Sequence, residues 1–207
     1  MSKQMRTRKR LLVTIAVLSI FLASLCGVAQ AKYIHTAQLQ GSVTVKADLG
    51  KITVKEHEAV RQDDGSYKLN MSSLVSSNPY NLIPGLDVPK DPHVVIDKDN
   101  NMPVYVFIKV ETDITAGSGI TYQLADYWKP VEGTTNIYVY SEGNVAKPVT
   151  GDETIYILKT PDGSKHEIMV SQDLSISNNV SLNFYAAMSQ ITAGIDAGTV
   201  ETLFTTP

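Results

Sequence analysis

Residues 78–111 constrain the fold more than any other part of the chain, because they are rich in proline and then alternate regularly. Each proline removes a backbone donor and fixes a backbone angle, so this stretch is extended or turned and not helical. Four of the prolines, Pro79, Pro84, Pro89 and Pro92, lie in the first half of the stretch. Beyond them, aliphatic residues alternate with others: Val104, Val106, Ile108 and Val110 against Tyr105, Phe107, Lys109 and Glu111. This two-residue period predicts a strand laid over a core.

Short β-rich runs separated by turns make up most of the remaining chain. The runs lie at 42–46, 52–55, 67–71, 137–140, 155–158, 166–170 and 181–188. Turn signals such as Asp64-Gly65 separate them. Near the C-terminus Ile195 and Leu203 could share a helix face with Ile191 and Phe204, but Gly194 and Gly198 would each cost roughly 1 kcal/mol. We therefore predict an all-β protein, an antiparallel β-sandwich or jelly roll with at most short helices.

The first 31 residues have the pattern of a secretory signal peptide. Five basic residues within 1–10 precede an apolar stretch at 11–25, and Ala29-Gln30-Ala31 follows as a cleavage site. A retained membrane anchor is the alternative, but an apolar run of about 15 residues is shorter than the roughly 20 that span a bilayer. We expect cleavage after Ala31, contact with the membrane only before that cleavage, and a single secreted domain over residues 32–207.

Cleavage at this position would change the chemistry of the chain. It removes five of the 18 basic residues and the single cysteine, Cys26, which leaves 13 basic residues against 21 acidic ones, a formal charge of −8. A chain without thiols forms no disulfide and binds no metal through sulfur. An acidic chain is also a poor partner for nucleic acid or anionic lipid. We expect an extracellular protein that binds no nucleic acid.

Two His-Glu pairs resemble fragments of a zinc-protease motif. They are His57-Glu58 and His166-Glu167. The motif needs a second histidine one helical turn later, and Arg61 and Val170 stand at those positions. Because both pairs lie in β-rich runs, the interpretation that we favour is solvated histidines on strand or loop surfaces.

Other candidate sites are equally incomplete. Residues 97–101, Asp-Lys-Asp-Asn-Asn, begin like a calcium loop, but Met102 and Ile108 replace the glycine and glutamate that such a loop requires. A polar turn is favoured, with a loose calcium site left open. Trp128 and the ten tyrosines could form a sugar-binding face, although aromatic residues on strands are first of all core fillers. We predict no catalytic residue, no cofactor-binding residue and no metal ligand, and therefore a protein that is not an enzyme.

Several short segments carry a resemblance to a known family. They are Ala37-Gln38-Leu39-Gln40-Gly41-Ser42-Val43, Ile83-Pro84-Gly85, Pro89-Lys90-Asp91-Pro92, Val94-Val95-Ile96-Asp97 and Tyr105-Val106-Phe107-Ile108-Lys109-Val110. With the signal peptide, they resemble the TasA/camelysin family. Trp128-x-x-Val131-x-Gly133 and Ile137-Tyr138-Val139-Tyr140 are similar to the wider group of exported proteins with SipW-type signal peptides.

The resemblance implies a jelly-roll subunit of extracellular biofilm-matrix fibres in Gram-positive bacteria. It would be released by a dedicated, SipW-like signal peptidase and would join other copies of itself, with other matrix proteins left open as further partners. Fibre formation in that family resembles donor-strand exchange, in which the N-terminal segment of one subunit adds a strand to the next. Residues 32–45 could be that strand, because they could pair with an open sheet edge. Two alternatives stay open: a camelysin-like surface metalloprotease, and a monomeric cell-surface adhesin or carbohydrate-binding module.

Overall fold

The computed structural model describes residues 50–98, 102–159, 167–175, 179–190 and 195–205, together with the backbone of 34–37. The strands are β1 (Ile34–Ala37), β2 (Lys51–Arg61), β3 (Tyr67–Val75), β4 (Val88–Pro89), β5 (His93–Asp97), β6 (Tyr105–Thr112), β7 (Ile120–Thr121), β8 (Gln123–Leu124), β9 (Trp128–Pro130), β10 (Ile137–Glu142), β11 (Val145–Ala146), β12 (Glu153–Tyr156), β13 (Leu158–Lys159), β14 (Glu167–Val170) and β15 (Leu182–Ser189). One short helix, α1, spans Ala197–Thr202.

Two antiparallel sheets carry most of the structure. The first has the strand order β1-β15-β6-β10-β11, and β9 also pairs with β10. The second has the order β12-β5-β2-β3. Shorter pairings, β13 with β8 and β4-β14-β7, connect the described segments around them.

The main core lies between these two sheets. Val106, Ile108 and Val110 of β6 are at most 3% exposed and belong to one apolar cluster with residues of β2, β5, β12 and β15. Alternating side chains of both sheets face each other across this cluster, which is how a sandwich buries its apolar area. The prediction of an all-β antiparallel sandwich with at most short helices is confirmed.

The second face of the central strand β6 is buried at one position, Phe107. Phe107 is fully buried and packs with Val139, Ala187, Val200 and Leu203 in a second apolar cluster. Helix α1 covers this cluster, and the Asp196 side chain caps the helix by accepting from the Thr199 N–H at 2.9 Å. The alternation along β6 is confirmed, but Phe107, expected opposite the core-facing residues, is as buried as they are because α1 covers it.

Several strands are longer than their sequence runs. The run at 52–55 continues as β2 to Arg61, and a turn containing Asp64 and Gly65 leads into β3. Gly65 has φ of +85°, and the Ser66 N–H donates to the Asp64 carboxylate at 3.0 Å. The predicted runs at 42–46 and the signal peptide at 1–31 lie outside the described residues. No helix in the part of the chain that the structure describes is long and apolar enough to cross a bilayer.

Truncation of Phe107 tests the second core. Phe107→Ala should lower the free energy of unfolding by about 3–5 kcal/mol, because it leaves a cavity that α1 and β10 cannot fill. Urea denaturation of the purified protein measures this. Val145→Ala is the control, since Val145 is 73% exposed and its loss should change stability by no more than about 0.5 kcal/mol. A Phe107→Ala loss below about 1 kcal/mol would contradict the placement of α1.

Candidate functional site

A bulge between β2 and β3 positions His57. The register of this pair shifts between His57 and Glu58, where β3 has extra residues. Asn78 bridges the distortion: its side-chain amide donates to the His57 carbonyl at 2.7 Å, and its carbonyl oxygen accepts from the Ala59 N–H at 2.8 Å. Bulges re-aim side chains, and here both backbone groups freed by the shift have partners. The conformation around His57 is therefore fixed.

His57, Asp91 and His93 form a compact polar group, which we call the histidine-aspartate cluster. His57 Nδ1 lies 2.6 Å from Asp91 Oδ2, and the His57 backbone N–H donates to Asp91 Oδ1 at 2.9 Å. His93 Nδ1 lies 2.9 Å from the Asp91 backbone oxygen. The two imidazole rings are 5.5 Å apart, and Tyr156 packs against His93. Asp91 and His93 are almost fully buried, at 2% and 3% exposure.

A buried ion pair lies beside this cluster. Lys90 Nζ is 2.7 Å from Glu56 Oε2, and both side chains are less than 10% exposed. Glu56 Oε1 is buried without a hydrogen-bond partner. Tyr80 packs near Lys90 and donates to the Pro89 carbonyl at 2.8 Å. Burial, and then the negative charges of Glu56 and Asp91, raise the pKa of Tyr80, so the phenol stays neutral and keeps donating.

A cleft of about 890 Å³ opens between β2 and β15. It combines apolar walls with the Glu56–Lys90 pair. Residues that line it include Val54, Glu56, Tyr80, Lys90, Leu182 and Phe184. A concave site in which polar groups lie beside apolar walls can receive a ligand or a segment of chain.

Among the described residues, strand pairing covers half of the β15 edge beside this cleft. Strand β1 pairs with β15 from Ile34 opposite Ser189 to Ala37 opposite Ala186. No other described strand pairs with that side of β15, so residues 182–185 lack a strand neighbour there among the described residues. Unpaired backbone groups at a sheet edge are available to another strand.

The two His-Glu pairs that resemble a zinc-protease motif lie in different surroundings. His57 lies on a strand as expected, but the expectation of a solvated histidine is wrong for it, because its side chain is only 12% exposed. His166 lies outside the described residues. Its neighbour Glu167 begins β14 and is partly buried. Arg61, at the position where a protease motif needs its second histidine, is exposed at the end of β2.

The described residues form neither a calcium site at 97–98 nor a sugar-binding face around Trp128. Asp97 ends β5, the Lys98 N–H donates to Asp152 at 2.7 Å, and residues 99–101 lie outside the described ranges. Trp128 is 4% exposed and donates from its indole N–H to the Tyr156 carbonyl at 2.9 Å. Its expected role as a core filler is confirmed. Burial of the adjacent Tyr127 raises the pKa of that phenol to about 12.

Sequence reasoning missed the importance of residues 90–93. Lys-Asp-Pro-His was noted there only as a connection with family resemblance. Its charged residues become buried because the segment passes the edge of the core, with Lys90 meeting Glu56 and Asp91 meeting His57. A buried charge needs a partner. Charged residues directly before an apolar strand, as at 90–91, are therefore the sequence signal that could have indicated buried ion pairs here.

No family model, curated protein or solved structure matches this chain.

The Glu56–Lys90 pair has a measurable energetic signature. Lys90→Met should lower the free energy of unfolding by about 3–5 kcal/mol, because Glu56 is left buried without its partner. The double variant Glu56→Met/Lys90→Met should recover most of that loss. Lys109→Met is the matched control: its ion pair with Glu111 is exposed, so the change should stay below about 1 kcal/mol. Equal effects of Lys90→Met and Lys109→Met in urea denaturation would refute the buried pair.

Proposed function

We propose that this chain is a secreted structural protein that assembles into extracellular, biofilm-matrix fibres by adding its N-terminal strand to the next copy. The observation that carries the proposal is the edge of β15: among the described residues, β1 pairs with residues 186–189 of that edge and no strand pairs with 182–185. The resemblance to the TasA/camelysin family supports the same function. A dedicated signal peptidase and other matrix proteins are the further partners that the resemblance implies.

Strand exchange between copies would reuse a pairing that one copy already makes. In the single chain, β1 occupies part of the β15 edge. The same residues from a neighbour would find the same hydrogen-bonding groups, so exchange costs little beyond the release of β1. Main-chain hydrogen bonds would supply the affinity, and side chains of the donor would supply the register.

The register of β1 defines what a longer donor would bring to the cleft. In a donor that keeps this register, Leu39 would stand opposite Phe184 and Gln40 opposite Asn183. Cross-strand partners project from the same face of a sheet. Phe184 belongs to the main core and lines the cleft, so Leu39 would enter the cleft and Gln40 would point away from it.

A pair of lysine substitutions tests this register. Leu39→Lys should reduce the polymerised fraction by at least about tenfold, because it would bury an unpaired charge in the cleft. Gln40→Lys adds the same charge on the opposite face and should assemble like the unsubstituted protein. Negative-stain electron microscopy and sedimentation of the secreted form measure both. A wild-type protein that stays monomeric at high concentration, or equal behaviour of the two variants, would count against the proposal.

Engineered cysteines separate exchange from folding back. Thr36 and Ala187 are register partners, so Thr36→Cys/Ala187→Cys on a Cys26→Ser background brings two thiols together. In fibres built by exchange, oxidation should give a ladder of covalent oligomers on non-reducing denaturing gels. The single variant Thr36→Cys is the control and should give no ladder beyond a dimer. Assembled material that yields only internally linked monomers would show that β1 stays with its own domain.

A further inference from the structure

We propose that His57, Asp91 and His93 form a binding site for a divalent transition-metal ion of the zinc type. The proposal departs from the sequence expectation of no metal ligand, and it is independent of fibre assembly. Among the described residues, these three are the only group of histidine and acidic side chains whose ligand atoms, one from each, lie within 4.8 Å of one another.

Strand pairing brings the two histidines to the same face. β2 and β5 are antiparallel, with Lys55 opposite His93. His57 is two residues beyond Lys55, so it projects from the face that carries His93. Asp91 precedes His93 by two residues and lies next to His57. The sheet and the bulge therefore fix the two histidines, and Asp91, in the connection before β5, is held by its two contacts with His57.

The hydrogen bonds leave each imidazole with a nitrogen suited to a metal. A backbone carbonyl only accepts, so His93 Nδ1 donates to the Asp91 carbonyl, and in the neutral ring His93 Nε2 then keeps its lone pair. His57 Nδ1 and Asp91 Oδ2 lie 2.6 Å apart, so an ion would replace the proton between them and take one ligand atom from each residue. A carbonyl partner on the far nitrogen, as His93 has, is a usual support of a metal-binding histidine.

Charge balance also favours a cation at this position. Asp91 is 2% exposed, and His57 is its one ion-pair partner within the described residues. The neighbouring cation, Lys90, is paired with Glu56. Asp91 is therefore a buried acidic group that no lysine or arginine among the described residues pairs with, and a negative charge buried there without a cation is costly. A divalent ion would be such a cation.

The donor set selects the kind of ion. Two imidazoles and one carboxylate suit zinc, copper or nickel better than calcium or magnesium, which prefer oxygen ligands alone. The partial exposure of His57, at 12%, provides a route for the ion from solvent. Three protein ligands would leave at least one coordination position for water.

Zinc titration of the untagged, chelator-treated protein with Cys26→Ser tests the site. Calorimetry should show one Zn²⁺ per chain, and Co²⁺ should give the absorption bands of a tetrahedral site. His57→Ala, His93→Ala and Asp91→Asn should each weaken zinc binding by at least about tenfold. The other two histidines serve as matched controls, so His35→Ala and His166→Ala should leave the affinity unchanged. Excess Mg²⁺ should not compete.

The outcomes that would overturn the site are distinct from loss of fold or of fibres. Circular dichroism without metal shows whether each variant is folded. If His93→Ala does not fold, zinc binding by His57→Gln tests the site, because His57 is more exposed than His93. No saturable zinc binding by the folded parent protein, or binding lost in His166→Ala and kept in His57→Gln, would refute the proposal. Leu39→Lys should bind zinc normally even where it forms no fibres, because Leu39 is not a ligand.

Discussion

The position of β6, with an apolar core on one face and Phe107 buried on the other, is the constraint on which the rest of the structure depends. One face, with Val106 and Ile108, fills the space between the two sheets, and the other places Phe107 under α1. Because β15 and β10 flank this strand, their own faces are divided in the same way. A strand with two apolar environments has only one register that satisfies both, so β6 sets the positions of its neighbours.

The second sheet places its polar residues where it meets the connection from residue 78 onward. Glu56 and His57 are neighbours on β2 but project from opposite faces. Lys90 contacts Glu56 on the cleft side, and Asp91 contacts His57 on the outer face. One short piece of backbone thus separates a buried ion pair from the histidine-aspartate cluster. The connection, which the sequence alone presents as scaffolding, supplies partners to both groups.

The fold was predictable because its strongest signals are local. The alternation at 104–111 and the turn at Asp64-Gly65 depend on residues close in the chain, and both appear as predicted. The histidine-aspartate cluster depends on a contact between positions 57 and 91 and on a bulge that no local pattern announces. A zinc-protease motif would place the helical partner of His57 at position 61, where Arg61 stands, whereas the partners of His57 come from another strand and the segment before it.

Strand β1 bears on how such a chain avoids premature aggregation. Four residues of the chain's own N-terminal part occupy the edge of β15 that would otherwise attract other chains. Among the described residues, this cover is four residues long. In the proposed fibre, a cover of that length would shield the monomer at low concentration and give way to a neighbour's strand at high concentration. Polymer growth would then start with a lag, depend steeply on local concentration and be confined to places where many copies are released together.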